Sequence, residues 1–382
     1  MKALLDNNNQ DLLREVEIIK KIVSQSITPN ELDPYKNWII TYLKNVETAI
    51  DDNFYYLSLN QEKLYEDVLK KTQIITMNLR LIGSRFTSPI FRYKTSDKLC
   101  LKLLDWLHNQ HTQTQNVPFG ISDGGFSVYP YVGLPILYFL PNSSQFGLLH
   151  LPLFFHEFGH YLYVHHKKEM NDLADALQIE LDDLLTASFQ QNDAKYNKDR
   201  KDANYIIETW LIWIQEIFCD SVGLVIGGAS YLYAFSHYLR MAGKGCVYRP
   251  VEDLIYSSHP VSWIRIKLLA DRAKKMGLNE EAEAILSEWS HIADAMNERG
   301  NFHAYYLDSY KLIIQRTIDD MLIEADPIQY KDYLTIERDA PFSNNNFIEL
   351  LNYAWVLFLK NPSEYYKWED AIVSSYSANH SN

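Results

Sequence analysis

The sequence predicts a predominantly helical α+β fold. Three observations carry that expectation. Apolar residues recur at helical spacing over most of the chain, helix start and stop signals punctuate its last third, and one short central stretch changes to a strand-like pattern. With 382 residues, 47% of them hydrophobic and 22% charged, the composition suits an ordinary globular protein with a large core.

The first hundred or so residues read as helices. Leu12, Leu13, Val16, Ile19 and Val23 fall on one helical stripe between Asp11 and Ser24, and Trp38 to Val46 and Leu64 to Leu81 behave alike. Breaks at Gly83 to Pro89 and near Asn116-Val117-Pro118 bound an N-terminal helical region over residues 1–115. Between Phe119 and Pro141, Phe126-Ser127-Val128-Tyr129 and Ile136-Leu137-Tyr138-Phe139-Leu140 read as strands. Gly120-Ile121-Ser122-Asp123-Gly124 fits the Gly-x-Ser-x-Gly pattern, but no helix follows the serine, so a glycine-rich turn is expected there.

From Phe146 onward the pattern is helical again, interrupted by polar Gln190 to Asn204, which reads as a surface loop. The longest apolar stretch, Ile217 to Phe235, contains Asp220, Gly227 and Gly228 and reads as buried core rather than a membrane span. Pro260 to Met276 stops at Gly277, and Asn279 to Arg299 stops at Gly300. Helices are expected at Tyr305 to Ala325 and Phe347 to Leu359. A core over 116–277 followed by a C-terminal helical region over 278–382 completes the division.

Charge and cysteine content exclude several roles. Lys plus Arg number 36 against 49 Asp plus Glu, so 36 − 49 gives a net charge of −13. Such a chain is repelled by nucleic acid and by anionic membrane surfaces. Cys100, Cys219 and Cys246 are too few and too scattered for a disulfide scaffold or a Cys-only zinc site. The segment Met1 to Asn9 lacks the apolar stretch of a secretory signal. A soluble, cytoplasmic protein is expected.

His156-Glu157-Phe158-Gly159-His160 lies inside an apolar, helix-compatible run. Four positions apart, both imidazoles share one helical face and can reach one metal ion. Glu157 stands beside the place where an activated water would sit and can take its proton. A third ligand is needed. His166 has the spacing used by metzincins, but Tyr163 stands where their turn needs glycine. Glu216 and Asp220 are the better candidates, four apart on an apolar helix, because two buried acids together call for a cation. Glu216 then ligates the metal while Asp220 holds a ligand imidazole. Cys219 is a conceivable alternative ligand, though it points about 60° away from Glu216 on an ideal helix.

With His259-Pro260 and Arg265-Ile266, these motifs form a series. The chain resembles the gluzincin metallopeptidases of the CAAX prenyl endopeptidase and HtpX-type family over about residues 117 to 275, in the short motifs only. The resemblance implies a zincin core with a small β-sheet and one Zn2+ per chain, bound by His156, His160 and Glu216. It implies Glu157 as general base, Asp220 supporting a ligand, and His259 and Arg265 facing the cleft as aids to substrate or transition state. It also implies a peptide or protein substrate, with Ile136 to Leu140 as a cleft edge that pairs with an extended chain. The expected function is a zinc metalloendopeptidase. The alternative is a catalytically silent or partner-activated scaffold acting by protein–protein interaction, and Glu157 distinguishes the two, because a silent scaffold has no use for it. A regulatory protein partner fits either reading.

Overall fold

Leu5, Leu12, Val16, Ile19 and Val23 are buried along one stripe of α1 (Lys2–Gln25). That stripe packs against α2 (Asp33–Ser58) and α3 (Tyr65–Leu81), whose buried residues recur at the same spacing. The computed structural model describes residues 1–131, 133–141, 147–187, 194–242, 247–296, 302–334 and 346–378. A wide helical turn at Ile82–Phe86 ends the three-helix bundle where the sequence breaks, and α4 (Ser88–Phe91) and α5 (Lys98–Asn109) follow.

Strands β1 (Phe119–Asp123), β2 (Ser127–Tyr129) and β3 (Ile136–Leu140) form one mixed sheet in the order β1-β3-β2. β1 runs parallel to β3 with Phe119 opposite Ile136, and β2 antiparallel with Val128 opposite Tyr138. Two expectations are corrected here. Gly120 to Asp123 is strand rather than turn, and the chain bends only from Gly124 to Phe126. The strand's glycine serves close packing, since a Cβ on Gly120 would lie 2.7 Å from Pro89 Cβ. And β3 is the central strand, with both edges already paired, so it offers no edge to an extended peptide.

The chain divides into Met1–Gln145 with Tyr376–Asn382, and Phe146–Ser375. This differs from the expected boundaries after 115 and 277. The sheet belongs with the N-terminal helices because β1 packs on α2 and α4.

The second unit contains α6 (Leu153–His165), α7 (Lys167–Thr186), α8 (Ala194–Gly227), α9 (Ala229–Ala242) and α10 (Val251–Leu254). It continues through α11 (Ser262–Lys275), α12 (Asn279–Ala295), α13 (Asp308–Ala325), α14 (Phe347–Lys360) and α15 (Pro362–Ala378), the last running past the unit's end. The C-terminal helices join this unit because α12 and α13 pack on α11, and α14 packs on α8 and α9.

The expected loop over Gln190 to Asn204 is helical from Ala194 onward, while 190–193 lie outside the described residues. Its polar residues extend α8 by several turns instead of ending it. Arg200–Gly227 is long and apolar enough to cross a membrane, but 83% of its most apolar window is buried within the protein. The apolar stretch Ile217 to Phe235 is two helices, parted at Gly228, whose φ of 60° suits glycine. Helix α15 was not foreshadowed by the sequence pattern, and Cys246 and Gly300 lie outside the described residues.

Candidate metal centre

Helix α6 is apolar nearly all round: Leu153, Phe154, Phe155, Phe158 and Leu162 are buried. A helix of this kind has no solvated face, so its polar side chains must find partners inside. His156 and His160 do so one turn apart, their rings 4.9 Å between centroids and nearly perpendicular. They face α8, which crosses at Gly159. A Cβ there would lie 2.9 Å from Cys219 Cα, so only glycine admits this approach.

The crossing brings Glu216 between the two imidazoles. Its Oε1 lies 3.4 Å from His160 Nε2, and its Oε2 3.5 Å from His156 Nε2. Hydrogen bonds would draw such atoms to about 2.7–2.9 Å. Ligand atoms about 2.0–2.2 Å from a tetrahedral ion lie about 3.3–3.6 Å from one another, which is the spacing here. Glu216 Oε2 is buried and makes no hydrogen bond, although Arg265 Nη2 stands 3.2 Å away. His156, His160 and Glu216 offer ligand atoms all within 4.8 Å of one another and could hold a metal ion.

Asp220, one turn beyond Glu216, stands 2.9 Å from His156 Nδ1. Its other contacts fix it rigidly. Arg265 Nε donates to Oδ2 at 2.8 Å and Nη2 to Oδ1 at 2.7 Å, a bidentate pair, and the Tyr231 hydroxyl donates to Oδ1 at 3.2 Å. Burial opposes ionisation of Asp220, but Arg265 and His156 outweigh it and lower its pKa. Glu216 is likewise held below the ordinary carboxylate range against burial, by the His156 ring and Arg265. Burial depresses the pKa of His160 to about 4, which leaves a neutral ring able to ligate.

Glu157 is buried beside these groups. Burial, the largest cause, raises its pKa to about 7. His259 approaches from the segment before α11, its Nε2 3.5 Å from Glu216 Oε2 and its side chain 52% exposed. That segment is strapped to α8. Trp213 Nε1 donates to the Ser257 carbonyl at 3.0 Å, Thr209 Oγ1 accepts from the Tyr256 amide at 3.0 Å, and Tyr256 holds a φ of 55°.

All seven residues singled out from the sequence therefore meet in one cluster, but Arg265 does not face a cleft. It is buried, committed to Asp220, and lies over the Phe235 ring at 4.7 Å. Cys219 packs beneath Gly159, where burial raises its thiol pKa far above the usual value, and its sulfur is not among the ligand atoms grouped with His156, His160 and Glu216.

Sequence reasoning missed Tyr231, Phe235 and Gln215. The Gln215 carboxamide lies 3.2 Å from His160 Nδ1. Its only signal was adjacency to Glu216. Tyr231 and Phe235 gave none, because they reach the centre through the turn at Gly228, and a Cβ on Gly223 would overlap the Tyr231 ring at 2.4 Å. No protein-family model, curated protein or solved structure matches the chain.

Proposed function

We propose that the protein is a zinc metalloendopeptidase of gluzincin type, with His156, His160 and Glu216 as zinc ligands. The observation that carries this is the separation of 3.4–3.5 Å between the Glu216 oxygens and two imidazole Nε2 atoms, with a buried carboxylic acid, Glu157, next in sequence to one of them. Two imidazoles, with His156 giving up its Nε2 proton to the incoming cation, and one carboxylate suit zinc better than hard cations, which take oxygen ligands. Zinc bound there would act as a Lewis acid, polarising a carbonyl and lowering the pKa of water toward neutrality.

The chain's own residues divide the remaining work. Glu157, with a pKa raised to about 7 by burial, takes a proton from the attacking water and passes it to the leaving amine. Asp220 keeps the His156 proton on Nδ1, so Nε2 is free to ligate. Arg265 neutralises Asp220 and fixes its direction. His259, half exposed on the open side, donates to the oxyanion that develops as the carbonyl is attacked.

Elemental analysis of the purified protein should find about one zinc per chain, lost in His156→Ala and in Glu216→Ala. Zinc content indifferent to both changes would overturn the ligand assignment. A peptide library should be cleaved by the wild type and not by Glu157→Gln, which should retain its zinc. Equal cleavage by both proteins would remove Glu157 as the base.

A further inference from the structure

Arg249 lies between α9 and α10 and is half-buried. Its Nη1 donates to the carbonyl of His259 at 3.0 Å. The same histidine's Nε2 stands 3.5 Å from Glu216 Oε2, so one residue links the guanidinium to the metal centre. A guanidinium carries five N–H donors. Among the described residues, Arg249 spends one on that carbonyl and forms no ion pair.

Its isolation is unusual in this chain. The other buried or half-buried arginines among the described residues each face a carboxylate: Arg92 faces Asp97, Arg200 Asp182, Arg240 Glu288, Arg265 Asp220 and Arg272 Asp319. With acids outnumbering bases by 13, partners are plentiful. Burial and the Arg265 charge both disfavour the Arg249 cation, and Asp253 only partly offsets them. A guanidinium held there without a protein carboxylate is prepared for one that arrives with a ligand.

We propose that Arg249 is a carboxylate-binding subsite beside the metal centre, taking a peptide carboxylate close to the bond presented to His156, His160 and Glu216. This rests on the metallopeptidase reading above and narrows its substrate class. The planar fork matches a carboxylate bidentately, whether it comes from an Asp or Glu side chain or from a chain terminus.

The test is equilibrium binding to full-length, zinc-loaded Glu157→Gln protein, which does not depend on turnover. The probes are four fluorescein-labelled random hexapeptide pools: a central Glu against a central Gln, both amidated, and a free C-terminal carboxylate against its amide. At least one acidic pool should bind about tenfold more tightly than its neutral twin, and which one does so identifies the carboxylate's source. Adding Arg249→Gln should bring the twins within about twofold, while Arg249→Lys, which keeps the charge but not the fork, should retain only part of the difference. Zinc content and melting temperature check that these variants fold. Should Arg249→Gln not fold, Arg249→Glu decides, by reversing the preference within each pair.

No difference within either pair, no binding of any pool, or a preference that survives loss of the cation would overturn the subsite. Cleavage of the same pools by the wild type and not by Glu157→Gln reports separately on proteolysis, so the two ideas fail independently.

Discussion

Both units bury polar side chains between helices, in opposite ways. In the first, Asn53 Nδ2 donates to Asn9 Oδ1 at 3.0 Å, Asn9 Nδ2 to the Leu5 carbonyl at 2.7 Å, and Thr72 Oγ1 to the Val68 carbonyl at 2.8 Å. In the second, Glu216, Asp220 and Arg265 carry charge beside His156 and His160. Each cluster contains a buried oxygen without a hydrogen bond, Asn53 Oδ1 in one and Glu216 Oε2 in the other. A neutral orphan costs about 1–3 kcal/mol, which a helical bundle absorbs. An orphaned carboxylate oxygen costs more and asks for positive charge. Arg265, 3.2 Å away but also bound to Asp220, and the His156 ring supply part of that charge, and a metal ion held by His156, His160 and Glu216 could supply more. The first cluster is neutral, and the second could hold a metal ion.

The strongest way to break this contrast is to remove one member from each cluster. Asp220→Ala leaves Arg265 buried without its bidentate partner and should cost about 3–5 kcal/mol in urea unfolding. It should also weaken zinc binding by about 10- to 100-fold, because His156 loses the group that orients it. Asn53→Leu, of nearly the same shape, removes the neutral orphan along with its donors and should cost less than about 3 kcal/mol. Equal losses from the two substitutions would show that charge is not what separates the clusters.

The buried histidines sharpen the same contrast. Burial alone would depress His156, but the carboxylates of Asp220 and Glu216 outweigh it and raise its pKa to about 10. His108 is as deeply buried, 3.0 Å from the Tyr138 hydroxyl and stacked on Phe119; burial, helped by His111, lowers its pKa to about 3. A histidine kept neutral in the fold contributes full stability above its unfolded pKa of about 6.5, lost progressively as pH falls toward the folded value. Between pH 8 and 5 that loss is about 2 kcal/mol. His108→Gln cannot titrate, so its unfolding free energy should fall by about 2 kcal/mol less than the wild type's over that interval. Parallel pH dependence in the two proteins would mean that His108 protonates without cost.

What the sequence revealed and what it concealed follows from how local each feature is. His156 and His160, or Glu216 and Asp220, announce themselves because helical spacing alone puts each pair on one face. His259 was readable only as part of a series. Arg265 was found, but its bidentate pairing was not, since nothing local says that its guanidinium turns inward to Asp220. Gly120 suggested a turn because a glycine has no side chain to reveal strand alternation, and its reason for being there, Pro89 and Tyr35, lies in other elements. The polar residues from 194 to 204 disguised the start of α8 for the opposite reason, because polarity marks exposure and not the absence of helix.

Gln215 offers the finest test, since it is a neutral amide, like Asn53, placed beside the charged centre. Its carboxamide lies 3.2 Å from His160 Nδ1, with the nitrogen toward the ring. An amide nitrogen donating to Nδ1 would leave the ring proton on Nε2, where it blocks a cation. A half-turn of the carboxamide exchanges nitrogen for oxygen, the proton moves to Nδ1, and Nε2 is free to ligate. Gln215→Leu removes the acceptor and should weaken zinc binding by about tenfold, as loss of a partner to a ligand histidine does. Gln215→Glu, which can only accept while ionised, should retain the wild-type affinity or exceed it. Competition with a chelator of known zinc affinity measures both. If neither substitution changes the affinity, the amide is packing, and the difference between the two clusters contracts to the charged and imidazole side chains alone.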